Sequence, residues 1–157
     1  KEFEKLFKTQ LEEVGVFIQR IPDIMDFRSI NNIADFYAYS FPYMYLFECK
    51  TTAGASLPFA NISETQWNGL FGASKYNGVI CGIPTRNYDK DVTKYGKYEI
   101  EDTIKELVSM RANGHKSVRF DSDIGIEIKG TKRKVYFDYD MKQFITHANE
   151  KYMLGLM

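Results

Sequence analysis

The chain has 157 residues with 21 basic and 21 acidic side chains, so its formal net charge is zero. A hydrophobic share of 44% and an aromatic share of 15% provide enough apolar surface for a packed core and exclude a disordered chain. The balanced charge excludes a binder that relies on an overall basic surface, so a nucleic-acid partner would have to be met by a local basic patch.

The length is that of one domain, expected to span residues 1–157. No stretch approaches the roughly 20 apolar residues that cross a membrane, and no basic-then-apolar leader opens the sequence. Cys49 and Cys81 are expected as buried free thiols, which suits a reducing cytoplasm. The first residue is Lys1, not Met, and whether residues precede it stays open.

Phe3, Leu6, Phe7, Leu11 and Val14 recur at helical spacing, so residues 2–14 are expected as an amphipathic helix that Gly15 terminates. Val16-Phe17-Ile18 reads as a strand stopped before Pro22, and residues 22–33 as a loop. Strands over 34–39 and 43–50 are joined by a turn at Ser40-Phe41-Pro42. The tyrosines from Tyr37 to Tyr45 are expected in the core, with base stacking as the second reading. A polar connection over 51–57 follows, then Ser63 and Gln66 at the spacing of a capping box that opens a helix over 64–74.

Residues 77–83 form an apolar strand, and residues 85–97 are polar without a period and read as a mobile loop. Ile100, Ile104, Leu107, Val108 and Arg111 mark a helix ended by Asn113-Gly114. Residues 124–128 and 135–139 alternate as a hairpin whose tip carries Lys129, Lys132, Arg133 and Lys134, and a last helix starts near Asp140. The order is helix, three strands, helix, strand, helix, hairpin, helix. Strands clustered before the second helix rule out a regular βαβαβ winding and predict a mixed sheet flanked by helices, an α/β chain of α+β type.

The chemistry concentrates between Asp35 and Gln66. Glu48 and Lys50 stand two residues apart at the end of an apolar strand, so both point the same way. Two carboxylates converging at a strand end, Asp35 and Glu48, suit a hard divalent cation, and a lysine beside them can orient water or offset charge on a phosphate. The competing reading makes Glu48 and Lys50 an exposed ion pair on an edge strand. Gln66 reads equally as a substrate contact and as a helix cap. His115 and His147 are isolated, and no zinc or P-loop spacing occurs. Asp121 and Asp123 are expected as turn residues.

Asp35 with Glu48-Cys49-Lys50 resembles the PD-(D/E)xK nuclease superfamily. The run Phe47-Glu48-Cys49-Lys50-Thr51-Thr52, then Ser56-Leu57-Pro58-Phe59, Asn61-Ile62 and Gln66, is similar to the RecU-type Holliday junction resolvases over residues 34–70. The resemblance implies a restriction-endonuclease-like αβββαβ core, here with an added C-terminal hairpin and helix. It implies Mg²⁺ or Mn²⁺ held by Asp35, Glu48 and the Cys49 backbone carbonyl, with Glu4 on the first helix a further metal-facing candidate. Asp35, Glu48, Lys50 and Gln66 would be the catalytic set. Thr51, Thr52 and Ser56 would touch flanking phosphates, and Lys132, Arg133 and Lys134 would bind DNA through the basic tip.

The implied activity is a metal-dependent endonuclease acting on branched DNA, above all four-way junctions, as a homodimer in the cytoplasm without a membrane partner. The family's projection between early strands is replaced here by the short segment Arg20–Ile33, which carries Asp23 and Asp26. Nicking, repair or restriction specificity is therefore the second reading. A non-catalytic DNA-binding module is the third.

Overall fold

The structure is a computed structural model and describes residues 2–22, 32–87, 92–95, 103–122, 124–134 and 136–156. Helix α1 spans Glu2–Glu13, and Gly15 closes it at a φ of 85°, a left-handed conformation that a side chain would oppose. Strand β1 (Phe17–Arg20) follows, then β2 (Phe36–Ser40) and β3 (Tyr43–Phe47), with Phe41 and Pro42 making the turn between the last two. Short strands β4 (Lys50–Thr52) and β5 (Ser56–Pro58) lead through a 3₁₀ turn to α2 (Glu64–Ala73). Next come β6 (Val79–Gly82), β7 (Thr85–Asn87), β8 (Val92–Tyr95) and α3 (Thr103–Ala112). Strands β9 (Ser117–Arg119), β10 (Ile126–Glu127), β11 (Gly130–Lys132) and β12 (Phe137–Tyr139) precede α4 (Met141–Leu156).

The first sheet runs in the order β1-β2-β3-β6, antiparallel except for the parallel β3–β6 pair. The expected αβββαβ arrangement is therefore present as α1, β1 to β3, α2 and β6. The pair β3–β6 continues as the parallel pair β4–β7, which opens a second sheet of order β10-β8-β7-β4. Between the two, Glu48 donates its N–H to Gly82 and Lys50 donates to Pro84. Pro84 has no N–H to return, so the ladder is interrupted and strand assignment lapses at Glu48 and Cys49. The single strand expected over 43–50 is thus two.

One face of the first sheet packs on α1 and α4. Phe7 meets Phe47 edge-on at 5.0 Å, and Tyr45 stacks parallel to Phe47 at 5.3 Å. Two of the buried polar side chains there, Tyr45 and Gln10, find partners. The Tyr45 hydroxyl donates to Asn149 at 2.6 Å, and Asn149 donates to the Ser40 hydroxyl at 2.8 Å. The buried Gln10 side chain on α1 donates to the Phe137 carbonyl at 2.8 Å and accepts from the Tyr139 N–H at 2.7 Å. Both cysteines are buried free thiols.

Several expectations need correction. Residues 85–97 were expected as loop, yet they hold β7 and β8. The inward residues of β7 are Thr85 and Asn87, polar side chains that are fully buried, with Asn87 donating to the Gly54 carbonyl, so no apolar alternation betrays the strand. The polar connection 51–57 likewise contains β4 and β5, and β5 pairs with the unexpected β9. The hairpin pairs β11 with β12, while β10 pairs with β8, so 124–128 and 135–139 are not partners. Of the tyrosine run, Tyr43 and Tyr45 lie in the core but Tyr37 and Tyr39 are exposed. Asp23, Asp26, Ile100, Asp123 and Val135 lie outside the described residues.

Gly130 starts β11 where a Cβ would lie 2.6 Å from the Phe137 ring and 2.9 Å from the Tyr139 ring. Those rings stack at 5.4 Å on the facing strand. Gly130→Ala should therefore destabilise the protein by about 1–3 kcal/mol, the usual range for overpacking. Denaturant unfolding of the variant against wild type measures it.

Candidate active site

Backbone pairing delivers both carboxylates to the C-terminal end of the central strand β3. Asp35 precedes β2, donating its N–H to the Phe47 carbonyl at 3.0 Å and accepting from Ile21 N–H at 2.8 Å. Its side chain accepts the Cys49 N–H at 2.9 Å. Glu48 follows β3, only 5% exposed, and Lys50 Nζ stands 3.2 Å from its carboxylate. Lys50 opens β4, the outermost strand of the second sheet, yet neither side chain of the pair is solvated, which removes the exposed ion-pair reading.

Asp35 and Glu48 line one cleft of about 340 Å³ together with Arg20, Ile21, Asn32, Ala34, Ser63 and Gln66. Gln66 caps α2: its N–H donates to the Ser63 hydroxyl at 3.2 Å while its side-chain oxygen accepts the Ser63 N–H at 3.0 Å. The cap and the cleft use the same residue, so the two readings of Gln66 are compatible. The cap engages Oε1, and the Nε2 amide is the end with hydrogens to offer the cleft.

Glu4 is not part of the cleft lining. It pairs with Arg20 at 2.6 Å, and its charge reaches both Asp35 and Glu48. Arg20 and Asn32 line the cleft without any signal in the motif. Arg20 lies at the end of β1 over the Phe36 ring at 4.9 Å, and Asn32 donates to the Pro22 carbonyl at 2.8 Å.

Thr51, Thr52 and Ser56 stand outside the cleft lining. Thr51 is exposed on β4, Thr52 donates to the Ala53 carbonyl at 3.2 Å, and Ser56 pairs with Arg119 across β5–β9. Lys132, Arg133 and Lys134 cluster at the β11–β12 turn and line a separate cavity of about 210 Å³ with Arg86 and Glu2. Arg133 pairs there with Asp138 at 3.3 Å. His115 and His147 are exposed, away from the cleft.

Burial sets the electrostatics. Desolvation, then the charge of Asp35, pushes Glu48 up to about 7, against the pull of Lys50. Desolvation also raises Asp35, partly offset by the Cys49 N–H bond, and drives the Cys49 thiol upward. Two carboxylates crowded into one cleft beside a single close ammonium fit a hard cation of the Mg²⁺ or Mn²⁺ kind, which would hold both in the ionised form that ligation requires. Among the described residues no three His, Cys, Asp or Glu side chains stand together to hold a metal, so further donors would be backbone oxygens or water.

No family model matches the chain, and no curated protein matches it. Among solved structures, the chain is similar in fold to Hjc from Archaeoglobus fulgidus, a Holliday junction resolvase of an archaeal hyperthermophile. The two share 13% sequence identity and a TM-score of 0.51, over 80% of this chain and 86% of that one. The likeness is one of fold: a mixed sheet with four α-helices among the described residues. No described helix is long and apolar enough to cross a membrane.

The raised Glu48 has a consequence for stability. Between about 4.5 and about 7 the folded state holds this proton more tightly than the unfolded chain. Stability from this group is present at low pH and is lost as pH rises through that window. Thermal unfolding in a chelator should show the wild type losing more stability across the window than Glu48→Gln. Parallel pH profiles of the two proteins would refute the linkage.

Proposed function

We propose that the chain is a single-domain, metal-dependent DNA endonuclease of the cytoplasm, acting on branched DNA and above all on four-way junctions. The observation that carries this reading is the meeting of Asp35 and Glu48 in one cleft, with Lys50 at 3.2 Å from Glu48, on a fold like that of a junction resolvase.

Asp35, Glu48 and the Cys49 carbonyl would hold Mg²⁺ or Mn²⁺. The ion, when bound, supplies a Lewis acid for the phosphate and a more acidic water. Lys50 orients the attacking water and offsets charge on the pentacovalent phosphate. Arg20 and the Gln66 amide, both in the cleft, hold phosphate oxygens of the strand being cut. The cavity of Arg86, Lys132, Arg133 and Lys134 meets backbone phosphates away from the cut, fixing position without reading sequence. Paired cuts across a symmetric junction call for a two-fold dimer.

The test is a cleavage panel of labelled four-way junction, flap, nicked and linear duplex DNA with Mg²⁺ or Mn²⁺. Asp35→Asn and Glu48→Gln should leave no detectable cleavage, and Lys50→Ala should lower the rate by about 10²- to 10³-fold, the usual loss for one charge-stabilising group. Wild-type rates in the Glu48→Gln protein would refute the mechanism. Light scattering checks the dimer, and a monomer cutting every substrate alike would keep the nuclease and remove the resolvase.

A further inference from the structure

Helices α2 and α3 pack over β6 on the face of the first sheet that carries Asp35 and Glu48. Across β1 and β2 no described helix covers the same face. Phe17 is 56% exposed, Tyr39 50%, and Tyr37 and Met44 39% each. Phe36 and Ala38, which alternate with them, are buried against α1 and its neighbours, so Asp35, Tyr37 and Tyr39 share the outer face. Register places Phe17 beside Tyr39 and Gln19 beside Tyr37 on one side, and Met44 beside Tyr39 on the other. The Phe17 and Tyr37 rings lie 6.3 Å apart. An aromatic array thus runs directly out from Asp35 in two-residue steps. It carries no acidic side chain.

We infer that this face is a stacking platform for unpaired nucleobases, so that the preferred DNA has single-stranded nucleotides beside the phosphate being cut. The inference rests on the endonuclease reading for the place of that phosphate. A strand seated at Asp35 and Glu48 meets the first turn of α2, with Ser63 and Gln66, on one side of the cleft. The open side leads over β2 and β1, where every ring that it meets is Tyr or Phe. Base faces stack on such rings whatever the sequence, but in an intact duplex those faces are covered by neighbouring bases. A platform of this kind therefore selects flaps, forks and opened junction centres over continuous duplex.

The experiment is a fluorescence-anisotropy titration of a labelled single-stranded oligonucleotide, and of a duplex of equal length, in a chelator so that nothing is cut. Tyr37→Ala and Tyr39→Ala should each weaken single-strand binding by about five- to a hundred-fold, while Tyr37→Phe and Tyr39→Phe stay near wild type because the ring is kept. Duplex binding should change by no more than about twofold in the alanine variants. Unchanged single-strand affinity in the double alanine variant, with its circular dichroism intact, overturns the platform. Equal loss on both DNAs, together with a drop in oligomeric state by light scattering, also overturns it and makes this face a contact between copies of the chain. Metal-dependent cleavage is scored separately. Its absence on every substrate sinks the nuclease reading, whereas the chelator titration judges the platform alone.

Discussion

Burial of the Glu48 carboxylate at the end of β3 is the constraint around which the site is arranged. A desolvated carboxylate is costly unless it is paired or protonated. Lys50 returns from β4 to within 3.2 Å of it, and Asp35 is pinned by the Cys49 N–H one residue further on. These contacts depend on the chain leaving one ladder and entering another between Phe47 and Lys50. A continuous strand pair would tie that backbone into regular hydrogen bonds. Pro84 on the neighbouring strand denies it one of them.

Much of this was legible in the sequence. Helical spacing gave α1, α2 and α4, and the apolar runs gave β2, β3 and β6, because each element buries one continuous face. Of the Asp35, Glu48 and Lys50 pattern, the two carboxylates line one cleft and Lys50 stands 3.2 Å from Glu48, two residues away along the chain. The Ser63–Gln66 box formed as its spacing demands, being a wholly local interaction.

What escaped was non-local. Strands β4, β5, β7 and β9 are three residues each, too short for a period, and β7 buries Thr85 and Asn87 instead of apolar groups. The basic residues read correctly as a cluster, but their partner strand was misassigned, because β10 and β11 are separated by only two residues and pair with different strands. Arg20 reaches the cleft from the end of β1, a tertiary placement that no spacing along the chain announces.

Gln10 is a helix residue doing the work of a strand. Its amide supplies both the donor and the acceptor that β12 presents at Phe137 and Tyr139, as a neighbouring backbone would. α1 is thereby fastened to the hairpin in its C-terminal half, while its first turn reaches the cleft through the Glu4–Arg20 pair. The helix is a strut between two regions that share no sheet. Its N-terminal half also borders the basic cavity through Glu2, Phe3 and Leu6, so one helix touches both charged regions of the molecule.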